Sequence, residues 1–219
     1  NYMLPLARLN SQSGSWYQRS LAARAFAAYP LKSDIQIIEQ LINDDVPLVK
    51  LGASLAAVKL GHFSPIKQMV IMMESESRYL RNICHSFVVK NDLAVQQTIR
   101  TMLQQESDPF VRKISLDIIC SKLRDKDFWI IQDDLQSAHK DLKMAAIRAL
   151  NGMSVELVQP ILEFNLSSSD WEIRSLAAKM IGDYTITEAI PMLLSSLKDR
   201  QWWVRINSAY ALTKMGDIG

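Results

Sequence analysis

Seven basic side chains share one spacing: Arg19, Lys50, Arg81, Arg112, Lys143, Arg174 and Arg205 follow one another every 31 residues. Guanidinium and ammonium groups donate hydrogen bonds to carboxylates, phosphates and carbonyl oxygens, so the chemistry on offer is one polar contact made over and over. A ligand seldom needs the same contact seven times, and strict recurrence therefore argues for a structural ladder. The groups that catalysis needs are arranged otherwise. His62, His85 and His139 fall in separate repeats, without a His-Glu pair or an H-E-x-x-H arrangement. Cys84 and Cys120 have no metal or redox spacing. No glycine-rich phosphate loop, G-x-S-x-G elbow or C-x-x-C site is present. The reading is of a chain that is not an enzyme, with no catalytic residue, no metal and no cofactor.

The elements that position the ladder share its period. Three residues after each basic position the side chain is small (Ala22, Ala53, Cys84, Ser115, Ala146, Ala177, Ser208), and seven after it is apolar (Phe26, Ala57, Val88, Ile119, Leu150, Ile181, Leu212). Self-similarity at this length marks a stacked repeat, each unit burying its apolar face on its neighbours. Within a unit, Ala189 to Leu197 and Trp202 to Leu212 both show apolar residues three and four apart, as a helical face requires. Pro5, Pro160 and Pro191, fourteen residues before the ladder, suit the first turn of a first helix; Pro47 and Pro109, three before it, suit that of a second. Asp108 and Asp170 read as N-caps, and Gly61 and Gly216 as helix stops. The fold predicted is all-α: a right-handed α-solenoid, an alpha-alpha superhelix, of seven antiparallel helix pairs with a 31-residue period. It forms a single repeat domain, residues 1–219, read as a fragment of a longer protein because the chain starts at Asn1 and enters a repeat at once.

With 48% hydrophobic and 22% charged residues, 7 Gly and 7 Pro, the chain is a folded protein with little loop material. A net charge of +2 neither demands nor excludes an anionic partner. No apolar run approaches the length of about 18 residues that a membrane span needs, so no membrane insertion is expected within this chain. Two cysteines without disulfide spacing favour a reducing, cytoplasmic compartment, although an upstream signal or anchor lies beyond what this stretch records.

The stretch Asp170-Trp171-Glu172-Ile173-Arg174-Ser175-Leu176-Ala177-Ala178-Lys179-Met180-Ile181-Gly182 resembles the HEAT repeat family in its short, phycobilin-lyase-like form. Arg205 to Gly216 follows it nearly as well, Val49 to Gly61 less so, and the third and fourth units depart most, with Cys84-His85 and Ser115-Leu116 where two alanines are usual. The resemblance implies that each ladder residue hydrogen-bonds a turn Asp and neighbouring carbonyls; Asp45, Asp108, Asp170 and Asp199, four to six residues upstream, fit that role. It also implies that the second helices line a concave face.

On that orientation Arg24, Lys59, Lys90, Lys113, Arg148, Lys179 and Lys214 make a mildly basic groove, interrupted by Asp117 and Asp183, while acidic residues such as Asp34, Asp44, Glu74, Glu76, Glu106 and Asp134 collect on the first helices and turns. Trp16, Trp171, Trp202 and Trp203 form a candidate aromatic edge, with Trp171 and Trp202 in one phase and so able to stack side by side. Apolar ends, with Ile206, Tyr210, Leu212 and Met215 at one and Tyr2 to Leu6 at the other, would suit further repeats or self-association. The function expected is a non-catalytic protein–protein interaction scaffold whose groove takes an acidic or helical segment of another protein. The alternative is nucleic-acid binding, against which stands a pI near 8.5, below the value of about 9 usual for dedicated binders. A lyase-like chromophore-attachment subunit is a minor alternative carried by the resemblance.

Overall fold

A computed structural model describes residues 2–73, 77–90 and 93–216, with side chains throughout except at residue 85 and residues 87–90. The side chains of His85 and Lys90, and the residues Glu74 and Glu76, are thus outside what is described. Every regular element among the described residues is helical. The chain divides into two compact units, Asn1–Glu106 and Ser107–Gly219.

The N-terminal unit contains α1 (Met3–Asn10), α2 (Trp16–Ala28), α3 (Ile35–Ile42), α4 (Pro47–Lys59), α5 (Ile66–Met72), α6 (Arg78–Lys90) and α7 (Leu93–Gln105). Helices α1, α3 and α5 each lie on the helix that follows, and α2, α4 and α6 pack in succession. Pro47 opens α4, where its missing N–H costs no hydrogen bond. Gly61 closes it with φ +86, the left-handed turn that lets His62 N–H reach back to the Ala57 carbonyl at 2.9 Å. Close approach explains the small residues: a Cβ on Gly52 would stand 2.9 Å from the Ala23 Cβ. Ala22, Ala53 and Cys84, from the always-small column, are all buried.

The C-terminal unit contains α8 (Pro109–Ile119), α9 (Lys140–Ala149), α10 (Val155–Asn165), α11 (Trp171–Tyr184), α12 (Ile190–Ser196) and α13 (Trp202–Met215). Helix α9 packs on α8 and α11, α11 on α13, and α10 and α12 on the helices that follow them. Ser115, Ala146, Ala177 and Ser208 continue the buried small column. The two hydroxyls cost nothing there, because each donates to the carbonyl one turn back, Val111 at 2.7 Å and Val204 at 2.8 Å.

Two local expectations change. The first element of the fifth repeat is a pair of short 3₁₀ segments, Asp125–Ile130 and Asp134–Gln136, in place of an α-helix. Asp127 accepts from the Arg124 backbone N–H at 3.1 Å, and the Ile130 carbonyl is drawn to Arg112 at 3.0 Å, so polar anchors replace one helical ladder. Pro160 stands inside α10, which starts five residues earlier at Val155; Pro191 does lie in a first turn, that of α12.

Candidate functional site

The ladder is built from side chains of successive repeats. Arg19 donates from Nε and Nη2 to the Asp44 carboxylate at 2.5 and 3.2 Å, and from Nη1 to the Ser13 and Gly14 carbonyls at 3.0 and 3.1 Å. Arg174 repeats the arrangement on Asp199 at 2.8 and 3.0 Å and on the Ser168 and Ser169 carbonyls at 2.8 and 3.0 Å. Arg112 takes Asp134 at 2.8 and 2.6 Å, and Arg205 takes the Asp199 and Arg200 carbonyls at 2.8 and 3.0 Å.

The carboxylates therefore come from the following turn, not from the upstream turn that the resemblance suggested. Asp108 caps α8 through the Phe110 N–H at 2.9 Å, and Asp199 gives Arg205 a carbonyl hydrogen bond while its carboxylate binds Arg174. The cause is local. In each of five turns the residue six before the ladder position accepts from the backbone N–H two residues on: Ser13, Asp44, Ser137, Ser168 and Asp199, at 3.1, 2.9, 3.1, 3.3 and 2.8 Å. An Asp at this place has a second oxygen to give to the preceding repeat's arginine, whereas a Ser has none. The arginine hydrogen bonds hold Asp44 and Asp199 below the usual carboxylate range, despite the opposing effect of burial.

Several of the acids that collect on the first helices and turns are likewise held in ion pairs. Asp34 is buried under Arg8 at 2.7 Å, and Glu106 pairs with Lys67 at 2.7 Å. Lys50 and Lys143, the two lysines of the ladder, make no described ion pair; Lys50 stands near enough to Asp44 to help depress it.

On the second helices of the C-terminal unit the candidate cations meet acids of the same column. Arg148 donates to Asp117, 31 residues away, at 2.8 Å, and Lys113 reaches the same carboxylate at 3.4 Å. Lys214 holds Asp183, again 31 residues away, at 2.6 Å and lies 4.7 Å from the centre of the Tyr210 ring. The two acids that interrupt the basic stripe are thus its counterions. Lys179 is exposed without a described partner.

In the N-terminal unit the second helices enclose a hollow of about 260 Å³ floored by Leu48, Leu51, Leu55 and Ile83, with Tyr79, Arg24 and Lys59 at its rim. Arg24 is exposed and has no described partner, and Lys59 donates to the Ala27 carbonyl at the end of α2 at 2.6 Å. An apolar floor with two cations beside it can hold an amphipathic, acidic segment. Sequence reasoning placed both cations and Leu55 on this face and missed Leu48, Leu51 and Ile83; the signal was Gly52, where the glycine lets α2 and α4 close.

Trp202 packs edge-to-face on its sequence neighbour Trp203, ring centres 4.7 Å apart, and Trp16 on Tyr17 at 6.0 Å. Among the described residues no ring contact joins Trp171 to Trp202. Trp171 is half-buried beside Arg174 and Asp199. Of the apolar ends, Tyr2, Met3, Leu6, Ile206 and Tyr210 are exposed, while Met215 is buried. No group of three or more His, Cys, Asp or Glu among the described residues is placed to hold a metal ion, and no described helix is long and apolar enough to cross a membrane.

Residues 158–218 match a family model for HEAT repeats. No curated protein matches the chain. Among solved structures, an engineered protein superposes with a TM-score of 0.50 and 17% identity, over 98% of this chain and 68% of that one. Human deoxyhypusine hydroxylase in complex with glycerol gives 0.46 and 14%, over 96% and 84% of the two chains. The complex of CpcE and CpcF of phycocyanin lyase from Nostoc sp. PCC7120 gives 0.41 and 17%, over 97% and 86%. That family match covers α10 to α13, so residues 158–218 are HEAT repeats, and the 31-residue unit they contain recurs through the rest of an all-helical fold.

Proposed function

We propose that this chain is a non-catalytic interaction scaffold, and that the second-helix face of its N-terminal unit receives an acidic, amphipathic helix of another protein. HEAT-like repeat folds commonly mediate protein interaction, and the observation that carries the finer reading is the hollow between α2, α4 and α6. Its leucine floor supplies apolar burial, worth roughly 25 cal/mol for each Å² removed from water, while Arg24 and Lys59 favour carboxylates at the rim. Lys179 remains a second basic contact point in the C-terminal unit. The pairing of Arg148, Lys113 and Lys214 with Asp117 and Asp183 speaks against a continuous phosphate-binding stripe, and hence against nucleic acid as the partner.

The test is a nuclease-treated pull-down comparing the native chain with an Arg24→Glu, Lys59→Glu variant and a Leu55→Asp variant, each confirmed folded by circular dichroism. A partner lost with both variants and retained by a Lys126→Glu control supports the reading. Identical catches from all four proteins reject the hollow as the binding face.

A further inference from the structure

Lys143 occupies the ladder position on α9, yet the residue that would supply its carboxylate is Ser168, 25 positions on, where Arg19 has Asp44 and Arg174 has Asp199. The Ser168 hydroxyl oxygen caps its own turn through the Asp170 N–H at 3.3 Å, as Asp44 and Asp199 do with one of their two oxygens. The second oxygen is what this step lacks. Lys143 is half-buried, has no described hydrogen bond or ion pair, and lines a hollow of about 610 Å³ with Ser167, Ser168, Ser169, Phe164 and Met192.

We infer that this hollow is a carboxylate-binding site, in which an external carboxylate takes the place that an Asp side chain fills at the neighbouring steps of the ladder. The Lys143 ammonium supplies the charge and the serine hydroxyls supply donors. Phe164, mostly exposed, and Met192 form an apolar wall for the carbon chain behind the carboxylate. Glu163 lines the same hollow and opposes an anion; its Oε1 is engaged by Gln159 Nε2 at 2.9 Å, and it makes no salt bridge with Lys143. The site is in the C-terminal unit and stands or falls independently of the proposed interaction face.

The test is lysine-observed NMR on the ¹³C-dimethylated protein, with the Lys143 signal assigned through Lys143→Arg. Acetate, and in a second arm a capped glutamate peptide, is titrated at constant ionic strength against chloride. The expected result is a saturable shift at Lys143, with Lys179 and Lys198 responding only linearly. Saturation should come at several-fold lower acetate in Glu163→Gln and vanish in Ser168→Asp, where the built-in carboxylate fills the place. Response to acetate alone assigns the site to small carboxylates, and response to both assigns it to acidic side chains as well. A linear Lys143 response like that of the exposed lysines, or a titration unchanged in Ser168→Asp, overturns the inference.

Discussion

Asp199 holds Arg174 of the preceding repeat in a two-bond clamp, Nε and Nη2 on its two carboxylate oxygens at 2.8 and 3.0 Å. Its carbonyl accepts from Arg205 at 2.8 Å, so one residue ties two ladder steps together. Both charged groups are largely shielded from water, which makes breaking the pair costlier than breaking a surface ion pair. Asp199→Asn should lower stability by about 1–3 kcal/mol. Because Arg174→Lys loses the same bidentate geometry, the double variant should cost clearly less than the sum of the two singles. Denaturant unfolding of the four proteins measures this, and simple additivity would show that the clamp is energetically idle.

How far the sequence foretold this clamp depends on which half of it is considered. The basic half is legible as a strict column, and so is the small column that buries Ala53, Ser115 and Ala177. The acidic half was sought four to six residues upstream, within one turn, whereas the partner lies 25 residues downstream in the next repeat. The signal was present. At that offset the arginines 19, 81 and 174 meet Asp44, Glu106 and Asp199, while the lysines 50 and 143 meet Ser75 and Ser168. Arg112 meets Ser137, and uses Asp134 from the 3₁₀ segment. That substitution was beyond reach, because it depends on a backbone path that helical periodicity does not describe. The pairing of Arg148 with Asp117 was likewise hidden: both residues were placed on one face, but neutralisation needed the stacking distance.

Acid should loosen the ladder. Asp44 and Asp199 sit below their ordinary range chiefly through hydrogen bonds from Arg19 and Arg174. In the unfolded chain each takes up its proton near pH 4, at a pKa of about 3.9, and the folded form binds fewer protons there. Their contribution is therefore complete above that value and disappears as the pH falls through the lower folded values. Melting temperatures of the native chain should drop between about pH 4 and pH 2 more steeply than those of Asp44→Asn, Asp199→Asn, the two curves converging at the acid end. Parallel curves would remove these carboxylates as the cause.

The two thiols should differ in reactivity. Burial pushes the Cys84 thiol up to about 11 and leaves it almost wholly protonated at neutral pH. Cys120 is only half-buried, its Sγ donating to the Asp117 carbonyl at 3.4 Å. An aromatic disulfide reagent at pH 8 should titrate one thiol in the native protein and both in denaturant. Rapid modification of Cys84 in the folded chain would contradict its packing in the small column.

Gly182 should tolerate no side chain. A Cβ there would stand 2.6 Å from the Ala211 Cα, a backbone atom of α13 that cannot step aside without moving the whole helix. Gly182→Ala should cost on the order of 1–3 kcal/mol by overpacking, despite the better helix propensity of alanine. Gly14, with nothing within 4 Å of an added Cβ, is the control: Gly14→Ala should change stability little. If both substitutions stabilise the protein, α11 and α13 are not in the close contact described.

Thr185 ends α11 in the left-handed conformation at φ +55, the single described non-glycine residue with positive φ. It stands four repeats after Gly61, which closes α4 at φ +86, and it makes the same reach-back, Ile186 N–H to the Ile181 carbonyl at 3.1 Å. A β-branched side chain is poorly suited to that region, because its Cβ substituents crowd the backbone carbonyl. The side chain is exposed and has no described hydrogen bond to lose. Thr185→Gly should therefore stabilise the C-terminal unit by about 0.5–1 kcal/mol, the relief of the left-handed strain outweighing the entropy glycine adds to the unfolded chain. The reciprocal change, Gly61→Thr, should destabilise by at least as much, since α4 ends on the same turn. Thermal unfolding of the two variants and of the pair together tests the argument. A Thr185→Gly protein that melts lower than the native chain would mean that the hydroxyl or methyl of Thr185 makes a contact worth more than the strain it carries.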